Sequence, residues 1–94
     1  MAFAFNASLS EVEYRACRHG TSNASGRTWM SLIFEDYDAT QIECSVPQDM
    51  QGDIFSMELK RGDVCDIAIR AVARADGNSY VQLVALPLVY EKDE

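Results

Sequence analysis

Two windows of this chain, Tyr14 to Phe34 and Ile67 to Ala75, hold five of its eight basic side chains and no carboxylate, although the net charge is −7. All five are arginines: Arg15, Arg18, Arg27, Arg70 and Arg74. A guanidinium stays charged at physiological pH and offers donors in a fixed fork that matches an oxyanion. Arginines cleared of acids in two separate windows therefore mark a surface for an anion, provided the fold joins the windows. The alternative is a solvated strand face with cross-strand partners.

Other chemistry finds little support. The single His19 has no serine, cysteine or carboxylate in a recognisable relation to it, so no nucleophile–base arrangement forms and an enzyme is not expected. Cys17, Cys44 and Cys65 are odd in number, contain no C-x-x-C pair and do not complete a common zinc set with His19, so they read as reduced, buried thiols. No metal or other cofactor is expected. The acidic cluster Glu35, Asp36 and Asp38 lacks the glycine and final glutamate of a calcium loop and reads as a solvated turn. The first eight residues lack the basic and long apolar regions of a secretory signal, and no run approaches the ~20 apolar residues of a membrane span, so a cytoplasmic protein with no membrane partner is expected. Asn-x-Ser matches at Asn6 and Asn23 accordingly carry no weight.

The elements that must position the arginines follow from periodicity. With 94 residues, 48% of them hydrophobic and 24% charged, the chain has room for one small core. Alternation by two dominates. A first strand, Ser10 to His19, puts Val12, Tyr14 and Ala16 on the core face and Glu13, Arg15, Cys17 and His19 on the other. Gly20 to Gly26 is a loop. A second strand, Thr28 to Asp36, buries Met30, Leu32 and Phe34 and exposes Trp29, Ser31 and Ile33. After a turn at Tyr37 to Ala39, a third strand, Thr40 to Val46, points Ile42, Cys44 and Val46 inward and Gln41, Glu43 and Ser45 outward, and Pro47 stops it.

Between Gln48 and Leu59 the apolar spacing becomes three or four, which predicts a short helix plugging one end of the sheet. Lys60 to Asp63 turns into a fourth strand, Val64 to Arg74, with Cys65, Ile67, Ile69, Ala71 and Ala73 inward and Asp66, Ala68, Arg70, Val72 and Arg74 outward. Asp76-Gly77-Asn78-Ser79 is a hairpin signal, leading to a fifth strand, Tyr80 to Leu86, closed by Pro87. The expected organisation is one domain over residues 9–90, an N-terminal arm 1–8 and an acidic tail 91–94 that frays.

Five strands with a Gly/Ser-rich loop after the first, a helix between the third and fourth and a hairpin between the fourth and fifth have the order of an OB-fold barrel, an all-β class. The run Gly26 to Phe34, opening Gly-Arg-Thr-Trp, and the turn Leu59-Lys-Arg-Gly-Asp-Val64 resemble the second strand and the fourth-strand entry of small single-stranded DNA-binding proteins of phages, plasmids and integrative elements. The resemblance covers roughly residues 9 to 88. It implies a non-catalytic binder of single-stranded DNA with little sequence preference, acting in replication or in transfer of a mobile element, and working as a dimer or larger oligomer.

In an OB-fold the ligand crosses strands two and three between the first-to-second and fourth-to-fifth loops. That places Arg15, Arg18, Arg27, Trp29, Ser31, Arg70, Arg74 and Tyr80 at the expected nucleic-acid site, with cations tracking phosphates and aromatic faces stacking on bases. Charge opposes this. Residues 1–90 carry seven basic and twelve acidic side chains, a net of −5, so only a local patch can bind, with modest and salt-sensitive affinity. The rival expectation is a protein-interaction module that docks a partner through the Trp29 face, its acidic side or its tail.

Overall fold

The computed structural model describes residues 2–77 and 79–91. Strand β1 (Ala2–Thr21) is twenty residues long and is followed by β2 (Thr28–Glu35) and β3 (Gln41–Ser45). A 3₁₀ turn (Gln48–Met50) runs into helix α1 (Gln51–Met57), and β4 (Val64–Arg74), β5 (Ser79–Leu83) and the two-residue β6 (Leu88–Val89) complete the chain. The ladder order β1-β2-β3-β5-β4 closes because β4 also pairs with β1, and β6 adds to β4 beyond the end of β5. This is a closed five-strand barrel with one short helix between its third and fourth strands, the OB-like architecture expected from the strand order.

Closure depends on the length of β1 and on two bulges in it. Residues Ala2–Glu13 pair with β4, and Glu13–Thr21 pair with β2. Following the register around the barrel from Arg18 through Ser31, Ser45, Gln82 and Arg70 returns to β1 at Asn6, twelve residues back along the same strand. Each bulge, one between Leu9 and Val12 and one between Tyr14 and Ala16, inserts one of those residues. The remaining stagger of ten for five strands makes a narrow, steeply tilted barrel that side chains can fill.

The filling is apolar. Leu32, Phe34, Cys44, Cys65 and Leu83 are fully buried, with Val12, Tyr14, Met30, Val46, Ile54, Ile67 and Ile69 around them. Truncating the larger of these to alanine costs on the order of 3–5 kcal/mol. Tyr14 and Phe34, cross-strand partners, meet edge to face with ring centroids 6.0 Å apart. Helix α1 closes one end by burying Ile54 and Gln51. The Gln51 amide is the staple: Oε1 accepts from the Thr28 hydroxyl at 2.8 Å, and Nε2 donates to the Thr28 and Val46 carbonyls at 3.3 and 3.5 Å. The turn Lys60–Asp63 docks on β1. Tyr14 N–H donates to the Asp63 carbonyl, Gly62 N–H donates to the Tyr14 carbonyl, and Gly62 has φ +100°, which glycine tolerates.

The structure departs from the sequence expectations along several strands. Residues Ala2–Leu9, expected to be an arm before the strand, are the first half of β1. The bulge at Arg15 shifts the phase of the strand, so Ala16, expected in the core, is exposed, and Cys17, expected outside, packs against the core. On β4 the expected alternation ends at Ile69: Ala73 is exposed and Val72, flanked by Ala4 and Tyr80, is buried. The fifth strand stops at Leu83 rather than Leu86, and the chain bends through 84–87 into β6. Of the expected hairpin and tail, Asn78 and residues 92–94 lie outside the described residues.

Past Gln82, strands β1, β4 and β5 run on without β3 beside them, as a three-stranded arm. The molecule measures 47 × 28 × 20 Å, with a radius of gyration of 13.9 Å. A compact chain of this length would have about 12 Å. Within the described residues no helix is long and apolar enough to cross a membrane.

Candidate nucleic-acid interface

Cross-strand partners share a face, so the register assigns the outside of the barrel residue by residue. Gly20 lies opposite Trp29, Arg18 opposite Ser31 opposite Ser45, and Ala16 opposite Ile33 opposite Glu43. Through Ser45 and Gln82 the same outer face continues onto Arg70, and with its two-residue period onto Tyr80 and Arg74, with Val72 buried between them. Six of the eight expected residues (Arg18, Trp29, Ser31, Arg70, Arg74 and Tyr80) thus lie on the barrel's outer face in two groups, but Ser31, expected to be exposed, is buried at 7%. Arg18, Trp29 and Ser31 stand on β1 and β2, while Arg70, Arg74 and Tyr80 stand on β4 and β5.

Trp29, the aromatic residue of the first group, is 43% exposed. Its indole lies on Gly20: a Cβ added there would stand 3.0 Å from Cε2, Cζ2 and Nε1 of the ring. The absence of a side chain at Gly20 therefore lets one ring face rest on the main chain. Arg27 sits at the end of the β1–β2 connection, a closed loop in which Ser22 N–H donates to the Arg27 carbonyl and Gly26 N–H to the Ser22 carbonyl. Arg27 is exposed and makes no ion pair among the described residues.

The second group is anchored by a cation–π contact, with the Arg74 guanidinium carbon 5.5 Å from the centre of the Tyr80 ring. Arg70 is exposed between Asn6 and Gln82, with no ion pair among the described residues.

Two cations are already engaged by acids. Arg15, the extra residue of the bulge, places Nη1 2.7 Å from Glu13 Oε1 and Nε 3.7 Å from Glu35 Oε2. Glu13 and Glu35 are direct cross-strand partners. Like charges in that position repel, and Arg15 offsets the repulsion. It is a structural clamp at the edge of the outer face. Arg18 Nη1 lies 3.3 Å from both oxygens of Glu43, and the Ser31 hydroxyl donates to Glu43 Oε2 at 2.5 Å. Glu43 therefore sits inside the surface that looked free of acids. Sequence distance hid it: it belongs to neither window and arrives through the β2–β3 register.

A second feature escaped the sequence reading. His19, on the inward side of β1 at the barrel's end, meets Phe55 of α1 edge to face at 5.5 Å. The two line an open cleft of about 440 Å³ together with Gly20, Thr28, Trp29 and Gln48. Phe55 lies in the apolar run of the expected helix, yet it is 57% exposed. The cleft gives the Trp29 end a second aromatic wall. Cys44 and Cys65 lie away from it, inside the barrel, whereas Cys17, also expected to be buried, is partly exposed; burial, with Glu43 adding, pushes Cys44 up to about 11, and burial, with Asp63 and Asp66 adding, pushes Cys65 up to about 11. At Tyr37–Ala39 the carboxyls expected to form a solvated turn cap its backbone. Asp36 Oδ1 accepts from the N–H groups of Asp38 and Thr40, and Asp38 Oδ1 accepts from the Thr40 hydroxyl. Comparison with family models, curated proteins and solved structures gives no match to this chain.

Proposed function

We propose that this protein binds single-stranded DNA without catalysis and with little sequence preference, through the outer face of its OB-like barrel, in replication or in transfer of a mobile element. The observation that carries the reading is Trp29, 43% exposed and backed by Gly20, with exposed Arg27 two residues before it in the chain and Arg18 on the same face. A base stacked on an aromatic side chain contributes roughly 1–3 kcal/mol, and every base has a face to stack. Tyr80, held by Arg74 and 41% exposed, is the second platform. Arg27, Arg70 and Arg74 supply phosphate contacts, and Arg18 does so once Glu43 gives way.

Anisotropy of a labelled oligo-dT, competed with unlabelled single strands and duplex of the same length, tests the reading. Single strands are expected to compete and duplex to compete poorly. Equal competition by duplex, or no binding at low salt, contradicts it. Glu43, within the patch and in a chain of net charge −7, is the observation that favours the second reading, a protein-docking face. Under that reading a basic peptide competes and oligo-dT does not.

A further inference from the structure

From Met1 to Ser10 the chain has no ionisable side chain, and residues Ala2–Leu9 form the outer strand of the three-stranded arm. They pair with β4 on one side and with no strand on the other among the described residues. Phe3 and Phe5 project from this edge and stay 74% and 63% exposed. Unpaired N–H and C=O groups flanked by apolar side chains are a template for another strand, and proteins that stay single guard such edges with lysine, proline, a bulge or a covering element. Ala2–Leu9 has none of these. The first irregularity comes after it, at the Leu9/Val12 bulge, where Glu11 takes φ 55°.

We infer that a second copy of this chain docks on this edge. The two β1 strands pair antiparallel about a two-fold axis, and β5–β4–β1 of one copy continues into β1–β4–β5 of the other. Charge does not oppose a like copy at this edge. Two molecules of net charge −7 repel, and the edge is a stretch where neither brings a charge. Geometry is self-complementary. A two-fold axis near Ala4 sets Phe3 opposite the partner subunit's Phe5, and Phe5 opposite the partner subunit's Phe3. Both rings share a face with Ala71 and Ala73 of β4, which are too small to obstruct a neighbouring ring. Cross-strand aromatic pairs of this kind stabilise sheets.

Area is sufficient for a reversible dimer. A phenylalanine offers roughly 150–250 Å², so the exposed parts of Phe3 and Phe5 present on the order of 250 Å² per chain. With the strand edges, the total buried reaches about 1,000 Å², the lower bound for a specific interface. The edge contains none of the candidate DNA-binding residues, so association does not depend on nucleic acid.

Sedimentation of the full chain across the micromolar range, without nucleic acid, tests the inference. The mass is expected to rise with concentration from 10.5 kDa toward twice that value. A Phe3→Glu/Phe5→Glu double variant is expected to stay at the monomer mass with unchanged thermal unfolding, since both rings stand outside the core. Amide exchange at residues 3–7 is expected to slow as wild-type concentration rises. A wild type that stays monomeric, a double variant that associates as strongly as wild type, or exchange at 3–7 independent of concentration overturns it.

Discussion

The indole of Trp29 rests on the main chain of Gly20, its cross-strand partner, so closely that an added Cβ would stand 3.0 Å from the ring. The contact supports one ring face, and Trp29 stays 43% exposed.

Gly20→Ala therefore separates binding from folding. The new methyl would stand 3.0 Å from the ring, so the indole must give by a few tenths of an ångström, while the barrel core is untouched. The expected result is a shift in Trp29 emission, a several-fold weaker oligo-dT affinity and a change in thermal midpoint of no more than a few degrees. Fluorescence and calorimetry on the same sample read both.

Glu43 restrains the patch. Arg18 at 3.3 Å and Ser31 at 2.5 Å already occupy its carboxylate, and under the proposed function a phosphate has to displace it. Glu43→Gln is expected to tighten oligo-dT binding several-fold at low salt and to steepen the salt dependence by roughly 0.7 in log–log slope, the signature of one more phosphate contact to a single strand. A salt series on the variant and wild type measures it.

Arg15 is expected to behave in the opposite way. Arg15→Ala leaves Glu13 facing Glu35 without the cation that bridges them. Partly exposed ion pairs are worth about 1 kcal/mol or less, so the thermal midpoint should fall by about 4–8 °C at most. Oligo-dT affinity should change less than two-fold.

Arg15 also marks where sequence reading stops. Strand order was legible because alternation by two is bounded by Pro47, the Lys60–Asp63 turn and Asp76-Gly77, and those boundaries hold in the barrel. A bulge leaves no comparable trace. One extra residue at Arg15 reverses the faces of Ala16, Cys17 and Arg18, and that reversal carries Arg18 onto the Ser31 row. The first half of β1 was missed because Ala-Phe-Ala-Phe alternation without charge reads equally as an arm. Glu43 could not be placed beside Arg18 until the register between β2 and β3 was known. Two-residue β6 exists only because β4 offers it an edge.

The buried thiols give a pH prediction. Cys44 and Cys65 are held near 11 in the fold, above the ordinary thiol value of about 9, so the folded state keeps protons that the unfolded chain releases first. Their contribution is intact below about pH 9 and is lost as pH rises through 11, so stability should fall over that window. Alkylation at pH 8 should be fastest at partly exposed Cys17 and should reach Cys44 and Cys65 only on unfolding, as mass spectrometry of the labelled protein would show.

The most direct test of the central claim uses the chain's single tryptophan. Titration of wild type with oligo-dT at low and moderate salt, followed by Trp29 emission, should show saturable quenching that weakens as salt rises, and a Trp29→Ala variant should bind at least ten-fold more weakly by anisotropy. Unchanged Trp29 emission with no binding at micromolar protein, or a Trp29→Ala variant that binds as well as wild type, would contradict the account.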